Sequence, residues 1–285
     1  MNDETTGALL VIVSAVGFGT LGIFGKLADA AGLTVPTLLA SRFVIASLLV
    51  WAVLGLRGNA RLLTGRGLAV ALGLGTLGYA LMSGLYFVGL GYLTAGLAGI
   101  VLYTYPAFVV CLALLSGRET ITPRLVAALF LCLAGVALVL GVDPAGADPL
   151  GVSIVLAAAV VYAGYITASG MALDTVRPRT LTAHVLPAAA GAFIAVGSLT
   201  GTLSVPSSPS QWSVVVGIAL VATIVPIFAF FAGIQRVGAS RASVLSTVEP
   251  AVTVVLGAMY LSEPVTATTV VGGVLVLAGV VLAQS

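Results

Sequence analysis

Charge is what this sequence has least of. Only 7% of its 285 residues are Asp, Glu, Lys or Arg, against roughly 25% in soluble domains. A water-soluble chain could not cover its surface with so few, so the shortage excludes a soluble fold and makes lipid the solvent for most of the molecule. The formal net charge of +2 is scattered along the chain and offers no basic patch to nucleic acid. The two cysteines, Cys111 and Cys132, both fall inside apolar stretches. They exclude a disulfide framework and read as packing residues. There is one histidine and no H-E-x-x-H, so no metal or cofactor is expected. Neither G-x-x-x-x-G-K-[ST] nor G-x-S-x-G occurs, which removes ATP as a direct drive and argues against an enzyme. Asn2 and Asn59 are the only asparagines, and neither begins an N-x-S/T sequon.

What fills the chain instead is long apolar runs. Crossing a bilayer takes about 20 mostly apolar residues. Runs of that kind recur at about 6–27, 35–56, 68–91, 94–116, 123–141, 150–171, 180–201, 212–235, 239–261 and 265–283. The expected fold is therefore all-α, with ten transmembrane helices and no soluble domain. Asp3 and Glu4 make the N-terminus acidic where a signal peptide would be basic, so the first run reads as an uncleaved helix.

The few cations set the orientation. Arg57, Arg61, Arg66, Arg118, Arg124, Arg177, Arg179, Arg236 and Arg241 all lie in the even-to-odd connections, while the opposite side holds only Lys26. By the positive-inside rule both termini face the cytoplasm.

An internal repeat organises the whole. A shift of 144 residues aligns 95–138 with 239–282 without a gap, and 15 of the 44 positions are identical. Composition alone would give roughly 5. Pro106 falls on Pro250, Glu119 on Glu263, and Leu133–Val136 on Leu277–Val280; the same shift lays Gly7 on Gly151 and Phe18 on Tyr162. The expected units are 1–143 and 144–285. Each holds five helices, an odd number, so the second must enter the membrane inverted. Inverted repeats meeting at an axis in the membrane plane are the architecture of secondary transporters.

The residues also carry a family resemblance. Tyr86–Ala95, Tyr103–Ala107, Gly117–Thr120 and Leu133–Val136 resemble the EamA-type repeat of the drug/metabolite transporter superfamily. Phe230–Gly233, Glu249–Ala251, Ser262–Pro264 and Leu277–Val280 resemble it again, and Ser41-Arg42-Phe43 fits as well. Where the family often has Trp-Gly, this chain has Phe18-Gly19 and Tyr162-Ala163. The resemblance covers essentially the whole chain. It implies a multi-pass protein of the plasma membrane that exports amino acids, related metabolites or drugs. A single chain would hold both halves, so it could work as a monomer, and a homodimer is compatible. The alternative is a lipid or lipid-linked metabolite translocator, or a channel-like facilitator.

Glu249 is the leading functional candidate. It falls near mid-membrane, where a charge costs on the order of 3 kcal/mol by insertion scales and marks a site by default. A proton or a cation is its expected partner; bracing the kink at Pro250 is the other reading. Pro250 and Pro106 cannot donate to the carbonyls four residues back, and freed carbonyls at that depth are tolerated beside a cavity. Arg42 lies about seven residues inside its helix, on the order of 10 Å from the edge. It either snorkels outward or meets a substrate carboxylate. Tyr79, Tyr103, Tyr105 and Tyr162, with Tyr86, Tyr165 and Phe228, offer rings at mid-membrane for pocket or packing. Lys26 and His184 are interfacial residues or gates. Glu119 and Glu263 are expected to cap the helix that follows each.

Overall fold

Thr34, Thr94, Asp148 and Ser208 each precede an apolar run, and each begins a helix. The side-chain oxygens of these four accept from the backbone N–H of Thr37, Leu97, Leu150 and Gln211 respectively. Pro36, Pro149 and Pro209 follow in the first turn, where a missing N–H is harmless. The computed structural model describes residues 3–115, 122–142, 148–237, 242, 245–246 and 248–284. Among these the elements are α1 (Asp3–Gly19), α2 (Leu21–Ala30), α3 (Val35–Leu56), α4 (Gly65–Gly73), a π-helix (Leu74–Ala80) and α5 (Leu81–Gly89). There follow α6 (Ala95–Leu102), α7 (Tyr105–Leu115), α8 (Pro123–Val142), α9 (Pro149–Leu173) and α10 (Pro178–Leu199). The chain ends with α11 (Pro209–Ala219), a second π-helix (Leu220–Ile224), α12 (Val225–Val237), α13 (Val248–Leu261) and α14 (Ala267–Gln284).

Among the described residues six helical stretches are long and apolar enough to cross a membrane: Asp3–Ala30, Val35–Leu56, Gly65–Gly89, Pro149–Leu173, Pro178–Leu199 and Pro209–Val237. Ala95–Val109, Val126–Leu138, Val248–Leu261 and Ala267–Leu282 are shorter apolar helical stretches. The outward faces are apolar too. Leu77 is 74% exposed, Phe130 69% and Met259 69%, which only a lipid surround makes favourable. This is a multi-pass membrane protein.

Two spans expected to be continuous are broken. The first parts at Thr20, whose hydroxyl turns back to the Gly17 carbonyl at 2.6 Å. The fourth parts at Tyr103-Thr104, so Pro106 is the second residue of α7 rather than a kink inside one long helix. Proline is accommodated there because a helix start leaves its missing N–H unmissed. The side chain of Pro106 lies outside the described residues. Pro187, by contrast, lies inside α10, which continues through it.

Close packing rests on glycine. A methyl group on Gly135 would meet the Gly272 carbonyl at 2.6 Å, and one on Gly279 would meet the Ala128 carbonyl at 2.7 Å. The contact between α8 and α14 is thus reciprocal: Gly135 and Gly279 play the same part 144 residues apart, as do Ala128 and Gly272. The two π-helices show the same spacing, the second matching the end of the first.

Glu263 does not cap the helix that follows it. Its Oε1 accepts from the Ala95 N–H at 2.6 Å and its Oε2 from Gly96 at 3.2 Å, so the acid caps α6 instead. The chain turns sharply after α13: Ser262 has a positive φ, and the Glu263 N–H donates back to Gly257. That turn aims the carboxylate across the molecule. Glu119 lies outside the described residues.

Candidate functional site

The breaks at Thr20 and Tyr103-Thr104 lie beside one cavity of about 110 Å³ in the interior. Its walls include Phe18 and Leu21 from α1 and α2, Arg42 from α3, Tyr79 from the first π-helix, and Met82, Ser83, Tyr86 and Phe87 from α5. The opposite wall has Gly99, Leu102, Tyr103 and Tyr105 at the fourth-span break, Tyr162 on α9, and Glu249, Pro250 and Thr253 on α13. Glu249, Arg42, Tyr79, Tyr103, Tyr105, Tyr162 and Pro250, singled out from sequence, therefore meet in one place. Lys26 and His184 do not line it.

Around Glu249 the hydrogen bonds follow from a proline. Pro250 has no N–H for the Ser246 carbonyl, and the Tyr103 hydroxyl supplies the missing donor at 2.5 Å. The same hydroxyl stands 3.3 Å from Glu249 Oε2. A phenol has one proton to give. While it goes to Ser246, a protonated Glu249 can donate to the phenol oxygen; a carboxylate would compete for that proton. Helix α13 is further fixed by Thr253, whose hydroxyl lies 3.0 Å from the Gly19 carbonyl at the break in the first span.

Arg42 is 2% exposed, which removes the snorkelling alternative. Its Nε donates to Thr223 Oγ1 at 2.7 Å, on the second π-helix. Among the described residues no salt bridge joins Arg42 to Glu249. Tyrosines span the gap between them. Ring centroids run from Tyr103 to Tyr105 at 5.7 Å, on to Tyr162 at 4.6 Å, to Tyr165 at 6.2 Å and to Tyr79 at 5.4 Å. Tyr79 then packs on Phe43, beside Arg42, at 5.4 Å. The result is an arc of aromatic faces and hydroxyls with a cation near one end and an acid at the other. Phe228 takes no part; it is 40% exposed on the outside.

The two other candidates are engaged elsewhere. Lys26 donates to the Leu90 carbonyl at 2.5 Å. His184 Nε2 accepts from the Leu63 N–H at 3.1 Å, so its Nδ1 carries the proton and donates to the Thr180 carbonyl at 2.8 Å. Trp51 packs edge-on against the His184 ring and donates to the Ala183 carbonyl at 2.8 Å. The histidine thus pins the 57–64 loop to α10.

The model of the EamA-like transporter family matches residues 5–141 and again residues 149–284. The chain belongs to the EamA-like transporter family. The uncharacterized transporter YcbK of Bacillus subtilis (strain 168) is 27% identical over 95% of this chain and 90% of its own. An uncharacterized transporter of Archaeoglobus fulgidus is 26% identical over 97% of this chain and 96% of its own. A solved crystal structure of a protein, 21% identical, superposes with a TM-score of 0.65 over 98% of this chain and 96% of that one, and so shares the fold. Within this EamA-like fold, sequence reasoning missed Thr223, Thr253 and Ser83. Isolated Ser and Thr are common in membrane helices, and nothing local sets these three apart. Thr223 acquires its place from the π-turn, which carries no sequence signature.

Proposed function

We propose that this EamA-like protein is a secondary transporter of the plasma membrane. It exports small metabolites, such as amino acids, related compounds or drugs, by alternating access. In this reading the chain crosses the membrane ten times with both termini in the cytoplasm. Its two units, 1–143 and 144–285, are inverted copies that rock about the cavity. The reciprocal α8–α14 contact and the twofold family match support the duplication.

The observation that carries the reading is the placement of Arg42, buried, and Glu249, half-buried, in the wall of one cavity without a salt bridge between them. Charges in hydrocarbon are retained where they act. Glu249 is the proton-coupling group. With a proton on, it donates to Tyr103, which in turn holds the carbonyl freed by Pro250. With the proton lost, the carboxylate draws the phenol away and the Ser246 carbonyl needs another donor. The protonation state thereby reaches the backbone just ahead of α13, the helix that crosses from the cavity to the Glu263 turn.

Proteoliposomes loaded with candidate solutes test this. Saturable efflux that responds to an imposed proton gradient is expected, and Glu249→Gln should abolish the gradient response while inserting normally. Wild-type efflux and wild-type proton dependence in that variant would overturn the coupling role. Flux that does not saturate would favour a channel-like facilitator.

A further inference from the structure

Arg42 presents a problem in electrostatics. It is the sole cation in the cavity wall among the described residues, and it has no acidic partner there. An ion buried without a counter-ion costs several kcal/mol after relaxation. Its surroundings hold it in one orientation instead. Thr223, fully buried, accepts from Nε at 2.7 Å and gives its own proton to the Ile218 carbonyl, five residues back, at 2.9 Å. In an α-helix a threonine hydroxyl reaches four residues back, as Thr167 does to Ala163 and Thr253 to Glu249. The π-turn is what rotates Thr223 toward Arg42. The Phe43 ring lies 4.9 Å from the guanidinium carbon. Nε is thus held and the plane packed, Tyr79 also hydrogen-bonds the guanidinium, and Arg42 faces the cavity that Tyr79 and Tyr86 line with it.

We infer that this end of the cavity is a carboxylate subsite, with Arg42 as the binding group and Thr223 as the residue that positions it. A guanidinium edge matches a carboxylate through two parallel hydrogen bonds. A phosphate would call for more than one cation, and the wall supplies one. Phe18, Leu21 and Met82 offer apolar surface for the rest of a small organic acid. The inference rests on the cavity being the transport site, and it narrows the cargo to solutes bearing a carboxylate.

Equilibrium binding to the purified full chain in detergent tests it, using leucine, 4-methylpentanoate and isopentylamine as probes. These share one apolar body and differ in which charged group they keep. Leucine and 4-methylpentanoate should bind and isopentylamine should not. Thr223→Val should weaken 4-methylpentanoate roughly tenfold, Thr223→Ser less than threefold, and Arg42→Lys at least tenfold. Thermal melting of each variant reports its folding separately, and the Ser variant keeps the hydroxyl in the same π-turn. Binding of the amine alone, or of no probe, overturns the carboxylate subsite. Arg42→Lys weakening with Thr223→Val indistinguishable from wild type overturns the positioning role. Proton-driven efflux is measured independently through Glu249, so a failure here is distinguishable from a failure of the transporter reading.

Discussion

Tyr103 does two jobs with one hydroxyl. It stands in for the N–H that Pro250 lacks, and it touches the acid next to that proline. Removing it should therefore harm stability and coupling together. Tyr103→Phe leaves the Ser246 carbonyl without its described donor, at a cost of about 1–3 kcal/mol, which should lower the melting temperature in detergent. The proton dependence of efflux should also weaken, because Glu249 loses its neighbour. A variant that melts and transports like wild type would show that the hydroxyl is idle. Glycine makes the opposite kind of prediction, since there an atom is added. Gly135→Ala puts a methyl 2.6 Å from a backbone carbonyl that cannot rotate away. Overpacking of that kind typically costs 1–3 kcal/mol. Gly164→Ala, where a methyl would meet nothing within 4 Å, is the matched control and should melt like wild type.

At the scale of elements, the readable parts and the unreadable parts separate by cause. Val35–Leu56 lies where hydropathy puts it, because Thr34 and Pro36 punctuate its start and the apolar run is unbroken. The start of Pro149–Leu173 is legible in the same way from Asp148-Pro149. The break at Tyr103-Thr104 is different. Proline at 106 announces a disturbance, but whether the helix kinks through it or restarts depends on what packs beside it. The break at Thr20 has no proline at all; what stabilises it is Thr253 of α13, more than two hundred residues away, reaching the Gly19 carbonyl. The π-turns are the least legible, since a single residue too many in a helix changes neither composition nor hydropathy. That is also why Arg42 could be placed at depth from sequence while its partner Thr223 could not. Deleting Val221 should restore α-helical register there and turn Thr223 off Arg42. Binding of 4-methylpentanoate should then fall at least as far as in Thr223→Val, and an undiminished affinity would argue that the π-turn is incidental.

For the whole molecule, the testable statement is which way it faces. Cysteines introduced by Arg57→Cys and Ser207→Cys should be labelled by an impermeant thiol reagent from opposite sides, the first from the cytoplasm and the second from outside. Both residues are exposed, in connections at either end of the bundle. Cys132 is buried and serves as an internal blank. The reverse pattern would turn the charge argument, and with it the direction of export, upside down.

Glu263 has a bearing on how such a protein avoids leaking. Its carboxylate belongs to the second half of the chain, yet it completes a helix in the first. Pulling the halves apart at that end would strip two amide groups of their acceptor, at about 1–3 kcal/mol apiece. A seam closed in this manner is brittle rather than elastic: it resists small fluctuations, then gives way whole. Between turnovers that all-or-none character would stop solutes from seeping through.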